Sequence, residues 1–549
     1  MSAVVTTHHL TKTFTNHTAV DSLDLHVPEG AIYGFLGPNG SGKSTTMKML
    51  LGLTRPTEGK IELFGQPLTP ASRTKLLPAI GSMIEAPPGY GHLTGAENLR
   101  IVQDMLGLPT AQVKRALTTV RLNAHKDKLV RNYSLGMKQR LGIAMALARD
   151  PSLLVLDEPT NGLDPAGIEE IRDLLVDLTG QGITVMVSSH LLDEIDKMAS
   201  VIGILANGTL IFQGAREELF AHSIPDLIIE TPEPAAALDL GITATREPDG
   251  LRVLGLDNDQ TADFGLPARR CTGPDPSGPP RPAKPRRRLH GPHRTRGPAV
   301  TAAIRLEFRK MRRLRTIPVV AALVVAVALI SSVWQFSSST QTTFDDPSQV
   351  PWAAFLLTYT LMAAMTSPLL TAVIASRQTD IEHTGAGWTL AATAGYTPGQ
   401  LCRAKLAALA IILLPATVVQ TLLVIGAGLI AGMPVPADFG PWVGYTVWLY
   451  LINTAFCALH IWLAAWVENQ LISVGIGMLG AFLAVFSLFL PAAVTRVIPW
   501  GYYAVITHIT QNGDEVAYAT PSYAWPVAFL IVAAAAFAAG TGRLNRIER

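Results

Sequence analysis

The pattern of apolar and polar positions divides the chain into two halves. Residues 3–27 alternate between apolar and polar positions in two short runs, which predicts an antiparallel pair of strands. Continuous apolar runs follow at 31–36, 152–156 and 183–189, and short runs of this kind predict strands that are buried on both faces. Helical periodicity from residue 94 onward, clearest at 111–122, predicts a helical insert between the first two runs. The first half is therefore predicted to be α/β with a parallel sheet.

The second half contains six long apolar stretches. Each is about 20 residues or longer, which is the length that a helix needs to cross about 30 Å of hydrocarbon. None of them contains Lys, Arg, Asp or Glu, which argues against buried helices of a soluble domain. We predict membrane-spanning helices at 317–336, 352–375, 406–432, 442–467, 471–495 and 523–542.

Composition agrees with this division. Of the 549 residues, 48% are hydrophobic and 16% are charged, and the mean hydropathy is +0.29, which is too apolar for a soluble chain and too polar for one that lies wholly in the membrane. The three cysteines are widely spaced, so neither a disulfide framework nor a zinc site is expected. The N-terminus lacks a basic segment followed by an apolar run, so we expect no signal peptide and a cytosolic first domain.

A basic, proline-rich segment separates the two halves. Residues 267–298 contain almost no large apolar side chain, so they cannot bury a core, and we predict an extended linker. Their positive charge would also suit a position near anionic lipid, an alternative that the sequence leaves open. Residues 301–316 then predict an amphipathic helix with a basic remainder that includes Lys310, at the cytosolic surface of the membrane. Its apolar face consists of Ile304, Phe308 and Met311.

A glycine-rich loop follows the apolar run 31–36 and leads into a helix. In such a unit, the backbone N–H groups and the helix dipole bind an anion. The G-x-x-x-x-G-K-[ST] spacing adds Lys43 for the β- and γ-phosphates and the Ser44 hydroxyl for magnesium, which predicts a nucleoside triphosphate site. By itself this loop leaves kinases, GTPases and ATPases open. Its residues are Gly37, Pro38, Asn39, Gly40, Ser41, Gly42, Lys43, Ser44 and Thr45.

Two further apolar runs end in candidate catalytic residues. Asp157 and Glu158 follow the run 152–156, and acids at the end of a buried parallel strand can hold magnesium and polarise an attacking water. His190 follows the run 183–189, where a histidine can reach a γ-phosphate.

Taken in this order and spacing, these motifs resemble the nucleotide-binding domain of an ABC transporter over residues 3–220. The resemblance implies an α/β P-loop NTPase fold with a helical subdomain, followed by an all-α six-helix transmembrane domain. It implies ATP and magnesium as cofactors, Glu158 as the general base and His190 as the γ-phosphate sensor. Ser44, Glu85 and Asp157 would bind the magnesium.

Further ATP-binding residues follow from the same resemblance. Phe14 matches the aromatic residue that stacks on adenine, although packing in the core fits the sequence equally well. Ser134 and Gly136 match the signature motif and Asp164 matches the D-loop, and in this family the signature completes the ATP site of a second subunit. Glu85 stands where most members have glutamine, and its negative charge is expected to alter nucleotide affinity or coupling. Together with Pro87, Asn98 and Leu99, this glutamate makes the domain resemble the bacitracin-resistance and lantibiotic-immunity branch of exporters.

Basic residues indicate which side of the membrane is cytosolic. The connection 377–405 contains Arg377, Arg403 and Lys405, and the C-terminal end is also basic, so these segments and both termini are predicted to be cytosolic in a plasma-membrane protein. This half resembles type-2 ABC permeases, in which a glutamate in the connection docks on the ATPase. Glu382 matches that coupling role, while a solvated loop acid fits the sequence equally well.

We predict five segments: an ATPase domain at 1–220, a small extension at 221–266, a linker at 267–300, the basic helix at 301–316 and a six-span permease at 317–549. Because one ATP site needs a second signature, we predict a homodimer in the lipid bilayer, with no nucleic-acid partner. The predicted function is ATP-driven export of an amphipathic compound such as a peptide antibiotic, a drug or a lipid-like molecule. The alternatives are a membrane-anchored ATPase that senses or protects a target without transport, and an exporter of sodium or a lipid-linked glycan.

Overall fold

The structure, a computed structural model, describes residues 2–221, 227–229, 244–247, 250–253, 300–342, 344, 350–433, 439–512 and 515–545. The predicted linker 267–300, apart from its last residue, lies outside these residues, as does most of the predicted extension 221–266. By its contacts the chain divides into two compact units. The first comprises Met1–Lys43, Thr57–Pro67 and Leu175–Arg294, and the second comprises Ser44–Pro56, Leu68–Leu174 and Thr295–Arg549.

The strands and helices of the described residues are numbered in chain order. The strands are β1 Ala3–Phe14, β2 His17–Leu23, β3 His26–Pro28, β4 Ile32–Leu36, β5 Glu58–Leu63, β6 Gln66–Pro67, β7 Ile80–Met83, β8 Leu153–Leu156, β9 Thr184–Ser189, β10 Val201–Ala206, β11 Thr209–Ala215, β12 Leu227–Ile229, β13 Ala244–Glu247, β14 Gly250–Val253, β15 Ile509–Asn512 and β16 Glu515–Tyr518. The helices are α1 Lys43–Leu50, α2 Arg73–Leu76, α3 Gly95–Leu106, α4 Thr110–Thr119, α5 Leu135–Leu147, α6 Pro165–Gly180, α7 Leu192–Asp196, α8 Arg216–Ala221, α9 Val300–Lys310, α10 Thr316–Ser332, α11 Ser338–Gln341, α12 Pro351–Thr384, α13 Gly387–Thr393, α14 Pro398–Ile430, α15 Gly440–Trp466, α16 Gln470–Ser487, α17 Ala492–Thr495, α18 Tyr502–Val505 and α19 Ala524–Leu544.

The first unit is built on β-sheet structure. Strand β1 pairs antiparallel with β2, β3 and β5, which confirms the strand pair predicted over 3–27. Strand β4 lies between β10 and β9 and is parallel to both, and all five of its residues are buried, as its continuous apolar run predicts. The register pairs Leu36 with Ser189. The phosphate loop and His190 therefore follow the C-terminal ends of two adjacent strands, at the same side of the sheet.

The part of the second unit that precedes residue 175 combines the parallel pair β7 and β8 with helices α1 to α5. The four residues of β8 are buried, and the register pairs its last residue, Leu156, with Met83 at the end of β7. Helix α3 begins at a capping box, in which Thr94 accepts from the Glu97 N–H and the Glu97 carboxylate accepts from the Thr94 N–H. The predicted helical insert is therefore present as α3 and α4.

Six helices of the second unit are long and apolar enough to cross a membrane, and they match the six predicted spans. Three boundaries differ clearly from the prediction. Helix α12 continues to Thr384, because no glycine or proline interrupts residues 375–384, and α14 begins at Pro398 after the capping box of Thr397 and Gln400. The connection 377–405, predicted to be a loop, is therefore mostly helical. The predicted span 471–495 is also shorter, because α16 ends at Ser487.

Helix α3, the loop before it and the candidate membrane helices of the second unit share one hydrophobic core. Helix α9 links them, and it ends at Lys310 instead of continuing to residue 316 as predicted. This packing makes the second unit a continuous body from α3 to the nearer ends of the candidate spans. The core includes Tyr90, Leu93, Ile101, Met105, Leu306, Met311, Leu370, Ile374, Leu401 and Leu409.

Candidate functional site

The phosphate loop of the first unit is closed by its own lysine. Lys43 is 5% exposed, and its ammonium donates to the carbonyl oxygens of Gly37 at 2.6 Å and Pro38 at 3.1 Å. Gly42 has a φ of +105°, and a side chain there would meet the Ala19 carbonyl oxygen at 2.3 Å, so only glycine fits. The loop therefore wraps around one fixed cation, an arrangement that suits phosphate binding.

Two other predicted residues of the first unit lie at its surface. Phe14, at the hairpin end of β1, is 44% exposed, and the Lys12 ammonium lies 4.8 Å from its ring centroid. The core-packing alternative for Phe14 is therefore wrong. His190 is also exposed, directly after β9.

The candidate catalytic acids of the second unit follow the ends of β7 and β8. The Asp157 N–H donates to the Met83 carbonyl oxygen at 2.8 Å, and Asp157 is 5% exposed. Glu158 has a φ of +46°, and its carboxylate accepts from the Asn161 side-chain amide at 3.0 Å. A left-handed backbone costs a residue other than glycine about 1–3 kcal/mol and is typical of functional positions.

Glu85 shares this left-handed conformation, with a φ of +70°. Its carboxylate forms an ion pair with the Lys48 ammonium of α1, a partner that sequence reasoning missed. The oxygens of Ser44, Glu85 and Asp157 are hard donors of the kind that Mg²⁺ prefers. No group of three or more His, Cys, Asp or Glu side chains within the described part of the chain could hold a metal by itself. The donor set therefore fits a magnesium ion that is also bound by substrate phosphates.

The signature residues line an open groove of the second unit. Ser134 caps the N-terminus of α5, where its Oγ accepts from the Met137 N–H at 3.3 Å. Gly136 and Asp164 line the same groove, which has a volume of about 400 Å³. The structure thus brings the two predicted signature residues together with the predicted D-loop residue.

Four charged side chains form a closed set near the C-terminal end of α12 and the N-terminal end of α14. We call Glu307, Lys310, Glu382 and Lys405 the buried ring, and the side chains of all four are 0% exposed. The Lys310 ammonium is 3.0 Å from Glu307 Oε1 and 2.8 Å from Glu382 Oε1. The Lys405 ammonium is 2.8 Å from Glu307 Oε2 and 2.7 Å from Glu382 Oε1. Each carboxylate therefore has two lysine partners, and the ring is neutral overall.

The ring joins three helices and is contacted by one loop of the ATPase domain. Glu307 and Lys310 lie on α9, Glu382 on α12 and Lys405 on α14. The Tyr90 hydroxyl, from the loop that follows β7, donates to Glu382 Oε2 at 2.9 Å. The alternative of a solvated loop acid at Glu382 is therefore wrong.

The raised pKa values of Tyr90 and Lys310 keep these bonds intact at neutral pH. Burial raises the pKa of Tyr90 well above its usual value, and Glu382 raises it further, so the phenol remains a donor. Burial alone would lower the pKa of Lys310, but Glu307 and Glu382 outweigh it and raise that pKa well above the usual value. Lys310 is therefore a buried member of the ring, whereas the sequence placed it on a basic surface.

The arginines of the α9 region face acids of α3. Arg309 pairs with Asp104, and Arg312 and Arg313 lie 3.1 Å and 3.2 Å from the Glu97 carboxylate. Burial opposes ionisation of Glu97, but the Thr94 backbone and the two arginines lower its pKa overall. These pairs connect the α9 region with α3. The placement of α9 at the membrane surface stays a prediction.

A second joint connects the segment that follows α5 with α13. The guanidinium of Arg149 donates to the carbonyl oxygens of Thr393 at 2.7 Å and Leu77 at 3.2 Å. Burial lowers the pKa of Arg149 to about 10, so the group stays charged at neutral pH. A charged donor at the last residue of α13 also complements the negative end of that helix.

Comparison with known proteins follows the same division of the chain. Residues 20–161 match the ABC transporter family, and residues 303–484 match the ABC-2 family transporter protein. The bacitracin transport ATP-binding protein BcrA of Enterococcus faecalis is 48% identical over 213 residues, which cover 38% of this chain and 69% of that protein. The lantibiotic transport ATP-binding protein SrtF of Streptococcus pyogenes is 40% identical over 222 residues, which cover 39% of this chain and 95% of that protein.

A third relative is the daunorubicin/doxorubicin resistance ATP-binding protein DrrA of Streptomyces peucetius, 35% identical over 260 residues, which cover 45% of this chain and 78% of that protein. The fold class predicted from sequence is thus confirmed for both halves. The first half binds and hydrolyses ATP, and the second makes the chain a multi-pass membrane protein. The chain belongs to the ABC transporter family, as an ATPase fused to a type-2 permease.

Proposed function

We propose that this chain couples ATP hydrolysis to the export of an amphipathic compound, of which a peptide antibiotic is the first candidate. The observation that carries the proposal is the bonding between the Glu85 loop and the second candidate span. The Gly89 N–H donates to the Gly385 carbonyl oxygen at 3.1 Å, and Tyr90 bonds to Glu382. Such a direct connection suits an ATPase whose nucleotide cycle moves the membrane helices.

The residues have distinct roles in hydrolysis under this proposal. Glu158 accepts a proton from the attacking water, and Asn161 orients its carboxylate. Lys43 and the loop amides bind the β- and γ-phosphates, and His190 binds the γ-phosphate. Phe14 stacks on the adenine, and magnesium would supply positive charge at the phosphate oxygens, held by Ser44, Glu85 and Asp157.

Glu382 is the proposed coupling residue. The ring holds its carboxylate with two lysines, so its position is fixed relative to α9 and α14. A displacement of Tyr90 would therefore move the ends of three helices together instead of one side chain. Nucleotide binding would shift the permease between two arrangements in this way.

A homodimer completes the proposed site. Ser134, Gly136 and Asp164 line an open groove, which suits contact with the nucleotide of a second copy. Two ATP molecules would then be bound in one dimer. The positive residues that flank the spans favour a cytosolic position for the ATPase and for both termini.

The substrate class rests on the relatives. BcrA is named for bacitracin transport, SrtF for lantibiotic transport and DrrA for daunorubicin/doxorubicin resistance. These compounds are amphipathic, so we propose that the substrate is an amphipathic molecule taken from the membrane. Bacitracin is the first probe to test.

Reconstitution in proteoliposomes tests the proposed function. With the ATPase domain facing outward, the full chain should hydrolyse ATP and accumulate labelled bacitracin in the vesicles. Glu158→Gln should lower the rate of ATP hydrolysis about 10²–10⁴-fold, and accumulation should be lost with it. Hydrolysis with no accumulation of bacitracin or of other amphipathic drugs would favour a sensing or protecting ATPase. Accumulation of sodium or of a lipid-linked glycan instead would identify the third class. Crosslinking with ATP that gives only monomers would contradict the homodimer.

A further inference from the structure

The Lys48–Glu85 ion pair lies beside the proposed magnesium position. Ser44 and Lys48 are four residues apart on α1, so they share one face of the helix with about 5–6 Å between their Cβ atoms. Met47 and Met49 on either side are wholly buried, which fixes the face that Lys48 presents. The partner of Lys48 on this face is the carboxylate of Glu85.

Three carboxylates converge at this edge of the second unit. Glu85 follows β7, and Asp157 and Glu158 follow β8, whose last residue is in register with Met83. A polyphosphate brings further negative charge to the same edge, so an unpaired carboxylate at residue 85 would oppose its binding. Glutamine, found in most members of the family that this chain resembles, would have no such cost. The glutamate therefore needs a cation, and Lys48 supplies one.

We propose that Lys48 and the magnesium of MgATP compete for the Glu85 carboxylate. Before nucleotide binds, Lys48 holds and neutralises Glu85; when MgATP arrives, the carboxylate exchanges the ammonium for the metal. Lys48 is thus a positioning residue that acts through Glu85. The inference rests on the proposed ATP chemistry and adds a residue that controls how the metal and the nucleotide bind together.

The exposure of the pair makes this exchange feasible. The Glu85 side chain is 55% exposed and that of Lys48 is 21% exposed, so water screens their attraction. Lysine carries a compact charge on a flexible stem and can leave without breaking a bidentate contact. The left-handed backbone of Glu85 restricts where its side chain can point. One carboxylate can thus serve two cations in turn.

The exchange has a direct route to the permease. Pro87 and Pro88 stiffen the chain between Glu85 and the Gly89–Gly385 hydrogen bond. Tyr90 then reaches the buried ring through Glu382. A change of partner at Glu85 would therefore displace a short, stiff segment that is anchored at its far end.

Equilibrium binding of a fluorescent ATP analogue to the purified full-length chain tests the competition. Affinity is measured once with EDTA and once with Mg²⁺. In Lys48→Met we expect metal-free binding to weaken about five- to tenfold, because Glu85 then repels the phosphates. Binding with Mg²⁺ should stay within about twofold of wild type or become tighter.

Three controls separate the role of Lys48 from its charge and from the fold. Lys48→Arg should retain the wild-type ratio of the two affinities. Lys114→Met removes an exposed charge of α4 and should change neither affinity. In a Glu85→Gln background, Lys48→Met should change metal-free binding by less than about twofold, because the carboxylate that it neutralises is gone.

Two results would overturn the proposal. A Lys48→Met effect of equal size with and without Mg²⁺ would mean that no exchange takes place. The same effect in the Glu85→Gln background would mean that Lys48 acts on the phosphates directly. Failure of the wild-type chain to bind the analogue under either condition would instead reject the proposed function on which the inference rests.

Discussion

The segment from Glu85 to Tyr90 has charged contacts of opposite character at its two ends. At Glu85 a single lysine pairs with a carboxylate that is more than half exposed, whereas at Tyr90 the four charges of the buried ring are fully enclosed. An exposed pair is worth at most about 1 kcal/mol, so its partners can be exchanged. A buried pair cannot lose one partner without leaving an uncompensated charge. The Glu85 end is therefore suited to respond to a bound ligand, and the Tyr90 end is suited to transmit a displacement to the membrane helices.

Removal of one ring lysine should give the largest effect. Lys405→Met leaves Glu307 and Glu382 with one lysine between them, and we expect a loss of about 3–5 kcal/mol in the free energy of unfolding. Thermal melts with a thiol-reactive dye measure this loss, because Cys402 and Cys457 are buried thiols that react only when the fold opens. Cys271→Ala removes the remaining thiol.

A compensating change provides the control for that loss. Glu307→Gln added to Lys405→Met restores the balance of charge and should recover part of the stability. Equal melting temperatures for Lys405→Met and the wild type would show that the ring does not bear on stability.

Loss of the Tyr90 hydroxyl should have an intermediate effect. Tyr90→Phe removes one hydrogen bond to the charged Glu382, a bond worth about 1.5–3 kcal/mol, while it keeps the ring in place. We expect basal ATP hydrolysis to be retained and transport per ATP in proteoliposomes to fall. Parallel loss of both activities would argue against a coupling role.

Alkaline pH should reveal a smaller effect. The pKa values of Tyr90 and Lys310 are raised in the folded chain, whereas in the unfolded chain these groups titrate at about 10 and 10.4. The folded state then keeps protons that the unfolded state loses, so the free energy of unfolding should fall as pH rises above about 10. Circular dichroism melts should show a shallower fall for Tyr90→Phe than for wild type, and equal slopes would contradict the assignment.

The smallest effect is expected outside the ring. Arg312, 63% exposed, pairs with Glu97, and Arg312→Ala should cost less than about 1 kcal/mol, with a loss that shrinks as salt is added. Arg312→Lys serves as the matched control. A loss as large as that of Lys405→Met would remove the distinction between exposed and buried charges.

The sequence predicted the phosphate loop, the buried strands and the six spans because each has a local pattern. It placed Lys310 on a basic surface because periodicity gives the face of a residue but not the partner that covers it. The prediction ended helix α12 at residue 375, nine residues too early, for a related reason. The final turns of this helix contain charged residues, and they are buried by neighbours that are distant in sequence. The sequence did contain one signal of the buried ring, because Glu307 is the only acid in the basic segment 300–316. The partner of Glu85 had no such signal.

Arg149 binds α13 through the main-chain carbonyl oxygen of Thr393. Because the acceptor belongs to the main chain, the contact tolerates changes of amino-acid sequence. Every residue type presents the same carbonyl, so the side chain at position 393 can change without loss of the contact. Only a change that unwinds the end of α13 would withdraw the acceptor. The ATPase therefore recognises the shape of this helix rather than its composition, and permeases with different sequences in this turn could be joined to the same ATPase.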